Sequence, residues 1–141
     1  MRKRSRKNIA EKATKLAQQL ARLQETDEDG WGFCCSCGQA VHYKEANGGH
    51  FQPKGRHYNG TCLDPRNIHL QCVECNLFRQ GNPAGYTKFM LEEYGANGVQ
   101  DLAQKSKSVR LEACDFEEYI EKTAPLVRKL KNEKCFICSG R

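Results

Sequence analysis

Two cysteine pairs, Cys34-Cys35-Ser36-Cys37 and Cys72-Val73-Glu74-Cys75, restrict what this chain can fold into more than any other feature. A Cys-x-x-Cys turn aims both sulfurs at one point. Two such turns form a tetrahedral thiolate cage, the usual closed structural zinc site. Ligation requires thiolates, so metal binding is coupled to folding and to pH. The pairs lie 34 residues apart, longer than compact zinc-ribbon spacing. The segment between them is therefore expected to be a loop or small subdomain cinched at its base. A redox dithiol is the competing reading, but a thioredoxin-like motif needs a strand–helix context that is lacking here.

Composition agrees with a metal staple. The chain has 141 residues, which suits one compact domain, and 38% are hydrophobic, enough for a modest core. Nine cysteines is an odd count, which argues against a complete disulfide framework. No apolar signal peptide opens the chain, and no apolar run reaches membrane-spanning length. A cytoplasmic, reducing setting is expected, where paired cysteines hold metal more often than they form disulfides. A third pair, Cys135-Phe136-Ile137-Cys138, has no evident second pair. A second zinc using Cys114 or a partner chain stands against a frayed tail with incidental thiols. Cys62 is single.

The formal net charge of +6 is uneven, because Arg2, Lys3, Arg4, Arg6 and Lys7 open the chain. Such an arm suits a polyanion, nucleic acid first. A solvated tail or a localisation signal would have the same composition.

Residues 7–24 have helical spacing, with Ile9, Ala13, Leu16, Leu20 and Leu23 recurring on one face and Lys12, Lys15 and Arg22 on the other. The run ETDEDG (25–30) ends that helix. Residues 31–82 are rich in Cys, Gly, His and Asn, with short strand candidates at Val41–Tyr43 and Ile68–Leu70. Pro83 marks a helix start, Tyr86, Phe89, Met90 and Tyr94 an apolar face, and Gly95 a stop. Residues 97–107 suit a short helix. Residues 115–132 form a further helix, with Asp115 and Glu118 at capping-box spacing and Pro125 expected to kink or split it. The organisation expected is a basic arm and helix over 1–30, a zinc-bound core over 31–82, a helical region over 83–132 and a cysteine tail over 133–141.

Between the pairs lie His42, His50, His57, Asn67 and His69, and Asn76 follows directly after the second. Cys-x-x-Cys, then Gly-His, then Asn-Ile-His-Leu-Gln-Cys-x-x-Cys-Asn resembles a zinc-stapled HNH (His-Me finger, ββα-metal) nuclease. GGHFQPKGRHY, NIHLQCVECN and GNPAGYTKFMLEEYG give a closer likeness to the NinG (Rap) family of phage recombination proteins, over roughly residues 8–130. An HNH-type phage endonuclease that resolves Holliday junctions is similar in placing Asn directly after the second cysteine pair.

The resemblance implies a small α+β fold, with a ββα-metal core between N- and C-terminal helices. Cys34, Cys37, Cys72 and Cys75 would hold a structural Zn²⁺. His50 would be the general base that activates water, a task suited to imidazole. Asn67 would orient His50 through a hydrogen bond. Asn76 would be an oxygen ligand to a catalytic Mg²⁺ or Mn²⁺. Many HNH enzymes keep a metal ligand where this chain has Gly49. His57 is the first candidate to replace it, Asp64 the second and Asn47 the third. His69 could be a ligand, a phosphate contact or a supporting group.

The implied activity is metal-dependent endonuclease cleavage of branched DNA, such as Holliday junctions or D-loops, in a phage or prophage system within a bacterial host. Arg2, Lys3, Arg4, Arg6, Lys7, Lys54 and Arg56 form the expected DNA-binding set. A homodimer would match the near two-fold symmetry of a junction. The apolar faces of the first and last helices could form its interface or fold back on the core. Two alternatives remain: an HNH nuclease nicking ordinary duplex, and a zinc-knuckle module that binds nucleic acid without cutting it.

Overall fold

In the computed structural model, residues 5–139 are described, with side chains through residue 134. Arg2, Lys3 and Arg4 lie outside the described residues, as do the side chains of Cys135 and Cys138. The elements are α1 (Arg6–Gln24), β1 (Trp31–Phe33), β2 (Ala40–His42), β3 (Ala46–His50), β4 (Ile68–Cys72), α2 (Pro83–Ser108) and α3 (Ala113–Ser139). A 3-10 turn (Pro65–Asn67) precedes β4 and a π-helical turn (Glu74–Phe78) follows it. The result is a small α+β architecture, as expected.

Helix α1 opens at Ser5, whose hydroxyl accepts the amide of Asn8 at 3.3 Å. Its buried face is centred on Ala10, Ala13, Ala17 and Ala21 rather than on the leucines. Alanines at this spacing let neighbouring elements approach the helix axis closely. Ile9, Ala10 and Ala13 pack with Cys62 and Phe116, and Ala17 and Ala21 pack with Ile68. Leu16 and Leu20 flank this face, against Leu23, Tyr43, Val127 and Leu130. The apolar faces of α1 and α3 therefore fold back on one another and on the strands.

Two antiparallel hairpins carry the knuckles. β1 pairs with β2 around the turn that holds Cys34 and Cys37. β3 pairs with β4 in the register Ala46↔Cys72 through His50↔Ile68, so the second hairpin begins beside one cysteine pair and ends at His50. The strands are short; β4 is buried on both faces along its whole length, whereas β1 is largely exposed.

Helix α2 breaks at Gly95, whose φ of 71° is non-helical, so the expected stop and following helix appear as two arms of one kinked element. Helix α3 begins two residues earlier than expected. Asp115 is not its cap: the Asp115 carboxylate accepts the amide of Glu112 at 2.7 Å, the reach-back half of a capping box. The helix runs through Pro125 without splitting. Near its C-terminal end, the buried Lys134 donates to the carbonyls of Thr26 and Asp27 at 3.1 and 2.7 Å. Those contacts fasten α3 to the loop after α1.

Candidate functional site

The two knuckles converge. The sulfurs of Cys34, Cys37, Cys72 and Cys75 all lie within 4.8 Å of one another, and Cys37 and Cys72 are 3.8 Å apart. A tetrahedron with Zn–S bonds of about 2.3 Å has an S···S edge of about 3.8 Å. The cluster therefore fits a zinc ion that these four residues could hold. Polar hydrogens already face the sulfurs: Cys72 accepts the amide of Cys75, and Cys75 accepts the Asn82 side chain, both at 3.4 Å. Hydrogen bonding from Cys35 first, and from nearby backbone, brings the Cys34 thiol down to about 3, although burial opposes it. Burial pushes Cys72 up to about 12. Four thiolates this close require a cation among them. Among the described residues, no other group of three or more His, Cys, Asp or Glu side chains gathers in this way.

His50 ends β3, half-buried, and its Nε2 donates to the carbonyl of Cys62 at 2.9 Å. A carbonyl only accepts, so Nε2 carries the proton and Nδ1 is the basic nitrogen of the neutral ring. Burial lowers the pKa of His50, and Lys54 adds to this, against the opposing effect of the Cys62 carbonyl.

Asn67 acts differently from the expectation. It makes no direct bond to His50. Its Oδ1 accepts the amide of Gln52 at 2.7 Å, and its Nδ2 donates to the carbonyls of Gln52 and Thr61, each at 3.0 Å. Fully buried, it clips both ends of the loop after β3 to the start of β4. Its influence on His50 passes through that loop, which carries the Cys62 carbonyl.

The candidates for the ligand missing at Gly49 separate. His57 is exposed in the loop, and its described contact is a backbone one, from Arg6. Asp64 is buried and paired with Arg66 at 3.2 Å and Lys105 at 2.8 Å. Burial would raise its pKa, but these hydrogen bonds win and hold it below the usual range. His69 is buried, with Nδ1 on Glu25 at 2.7 Å and Nε2 near the Arg66 carbonyl and the Tyr94 hydroxyl, each at 3.0 Å. Its ring nitrogens are spent on structure. His42 is likewise occupied, between Asp29 and Lys44. Asn47 alone shares a cleft with Asn76. That cleft, of about 210 Å³, is also lined by Lys15, Gln18, Gln19 and Arg22 of α1 and by Gly48.

Gly49 has its own reason to be glycine. A Cβ there would fall 1.9 Å from Oε1 of Gln71. Gln71 is buried and donates to Ser36 Oγ and to the Gly81 carbonyl, each at 2.8 Å, bracing the knuckles. The Gly49 carbonyl accepts the Tyr86 hydroxyl at 2.6 Å.

The expected DNA-binding residues also divide. Arg6 has partners within the fold: its guanidinium donates to the carbonyls of Leu111 and His57 and sits 5.4 Å over the Phe116 ring. It ties the loop to the α2–α3 connection. Lys7 and Arg56 are exposed, and Lys54 lies 5.7 Å over the Tyr58 ring. Glu25, Gln71, Lys15 and Arg22 were not singled out as site residues from sequence. Lys15 and Arg22 were visible only as one helical stripe, and nothing local marks Glu25 or Gln71.

These features define a small α+β protein whose hairpins are stapled by four thiols able to hold zinc. The family model described as Bacteriophage Lambda NinG protein matches residues 1–133, and the chain belongs to that family. Protein ninG of Salmonella phage P22 is 33% identical over 104 residues, covering 68% of this chain and 46% of its own length. The chain thus spans about half the length of that curated relative. No solved structure matches. No helix among the described residues is long and apolar enough to cross a membrane.

Proposed function

We propose that this chain is a metal-dependent DNA endonuclease that hydrolyses phosphodiester bonds in branched recombination intermediates such as Holliday junctions or D-loops. The observation that carries the reading is His50. One ring nitrogen is committed to the Cys62 carbonyl, leaving Nδ1 to take a proton from water. Its lowered pKa keeps the ring neutral near pH 7, as a general base requires. β3, the clipped loop, β4 and the π-helical turn bearing Asn76 follow the order of a ββα nuclease core. Membership of the NinG family supports a role in phage recombination and hence a branched substrate.

Asn76 and Asn47 share the cleft and offer hard oxygen donors of the kind Mg²⁺ or Mn²⁺ takes, but Lys15 and Arg22 line it too, so a divalent cation would be held there only together with the phosphate whose charge offsets theirs. A cation held there would polarise the phosphate and stabilise the leaving oxygen. The four cysteines would hold zinc as a staple outside the chemistry. A homodimer would set one site against each of two opposed strands.

One observation favours a second reading. No carboxylate lines the cleft around Asn76, which suits a zinc-stapled module that binds nucleic acid without cutting it. Cleavage of a four-way junction, a D-loop and matched linear duplex, with Mg²⁺ and Mn²⁺, decides between them. The wild type should cut branched DNA. His50→Ala should abolish cutting while zinc content and DNA binding persist. A wild type that cuts none of the three with either metal would sink the nuclease reading, and equal cutting of linear duplex would sink the branch preference.

A further inference from the structure

We infer that the cleft between α1 and β3 is a seat for one backbone phosphate of nucleic acid, with Lys15 and Arg22 as its cations and Asn47 and Asn76 as its amide partners. This rests on the nucleic-acid reading above and adds residues of α1 to the site.

The seat exists because Gly48 has no side chain. A Cβ at Gly48 would stand 2.7 Å from both Cα and the carbonyl oxygen of Gln18. The backbone of α1 therefore rests directly on β3. Residues 15, 19 and 22 recur on one helical stripe, so that contact brings Lys15, Gln19 and Arg22 to the rim beside Asn47 and Asn76.

The electrostatics select an anion. Arg22 is partly buried, and its Nη1 donates to the carbonyls of Tyr43 and Ala46 at 3.1 and 3.2 Å. Its Nε is buried without a partner. Those carbonyls orient the guanidinium but do not neutralise it. No carboxylate lines the cleft, and the partner of Lys15 is an exposed Glu11 at 3.5 Å, a weak pair. A desolvated cation facing neutral amides favours a ligand carrying negative charge. Arginine and asparagine donors match phosphate oxygens.

The position suits the proposed chemistry. Gly48 and His50 lie on the same face of β3, about 7 Å apart along the strand. A phosphate in the seat would lie on the same stretch of backbone as the bond presented to His50.

The test is salt-dependent binding of a four-way junction, without divalent metal and in a His50→Ala background, so that the result does not depend on cleavage. Removing one phosphate-binding cation should flatten the log Kd against log salt slope by about 0.9. Lys15→Met should flatten it by about that amount, and Arg22→Met by a similar amount. If Arg22→Met fails to fold, Lys15→Met and Asn47→Ala carry the test. Unchanged slope in Lys15→Met and unchanged affinity in Asn47→Ala would overturn the seat. Binding without any wild-type cleavage would remove the nuclease reading and leave the seat standing. Absence of all DNA binding would remove both.

Discussion

Glu25 holds His69 and Leu70 at once: one carboxylate oxygen meets His69 Nδ1 at 2.7 Å and the other accepts the Leu70 amide at 2.7 Å. A single side chain at the end of α1 thus fixes that helix to the free edge of β4, and the Leu70 carbonyl accepts the Cys35 amide at 2.9 Å. The edge is closed by a carboxylate and a knuckle instead of a third strand.

Glu25→Ala would leave a buried amide and a buried imidazole without their acceptor. A loss of about 3 kcal/mol is expected in chemical denaturation. Glu25→Gln, which keeps one acceptor, should lose less. A change below about 1 kcal/mol in the alanine variant would show that water replaces the carboxylate freely.

Restoring a ligand at Gly49 should fail. Gly49→Asp would drive Gln71 off Ser36 and Gly81, so the expected result is a less stable fold with no gain in Mg²⁺ or Mn²⁺ binding by calorimetry. Gly48→Ala should be as damaging, because the clash is with helix backbone, and a loss of about 2 kcal/mol fits overpacking of this kind. A stable Gly49→Asp variant that gains metal would overturn this account of the glycine.

Asn67→Ala should loosen the loop over residues 51–64 without removing His50. Hydrogen exchange at the Gln52 amide should accelerate markedly, and the fold should lose about 2–3 kcal/mol for a buried amide whose three bonds vanish. Unchanged exchange at Gln52 would mean that Asn67 does not clip the loop.

Two groups set the acid response. His50 has a lowered folded pKa, so the unfolded chain binds its proton more readily. Its share of stability is complete above about 6.5 and declines as pH falls from there to the lower folded value. Asp64 is also lowered, and its share is complete above 3.8 and is lost as pH falls further through its folded value. Denaturation followed against pH should show both windows. His50→Gln should flatten the upper one and Asp64→Asn the lower, the latter by about 1 kcal/mol because Lys105 and Arg66 are partly exposed. An upper window that persists in His50→Gln would assign it to another histidine.

Zinc removal should unfold the hairpins. Mass spectrometry under native conditions should find one zinc bound by Cys34, Cys37, Cys72 and Cys75, and Cys72→Ala should lose it together with cooperative unfolding. A folded, metal-free Cys72→Ala chain would show that the cluster is not a staple.

Much of this was legible in the residues themselves. Cysteine spacing foretold the cluster because a short turn leaves two sulfurs little freedom. The order His50, Asn67, Asn76 was visible because it is written along the chain. The partners were not. Asn67 serves the loop instead of the imidazole, Arg6 serves Leu111, and His69 serves Glu25, because a side chain's bonds depend on what lies across space. The alanine face of α1 misled in the same way. Leucines dominate a hydrophobic pattern, but close approach is set by the small residues between them. In the sequence Gly49 marks only the place where many HNH enzymes keep a metal ligand, and the position of Gln71 adds a packing reason for the glycine.

The contact of α1 with Gly48 has a mechanical consequence. Helix backbone lying on strand backbone leaves no side chain that can rotate to widen the gap. The spacing of α1 from β3 is therefore set when the chain folds, and DNA seated in the proposed phosphate site would have to meet it by bending or splaying its strands. On that reading a branch point, where the strands already diverge, would supply the shape at less cost in deformation than a straight duplex.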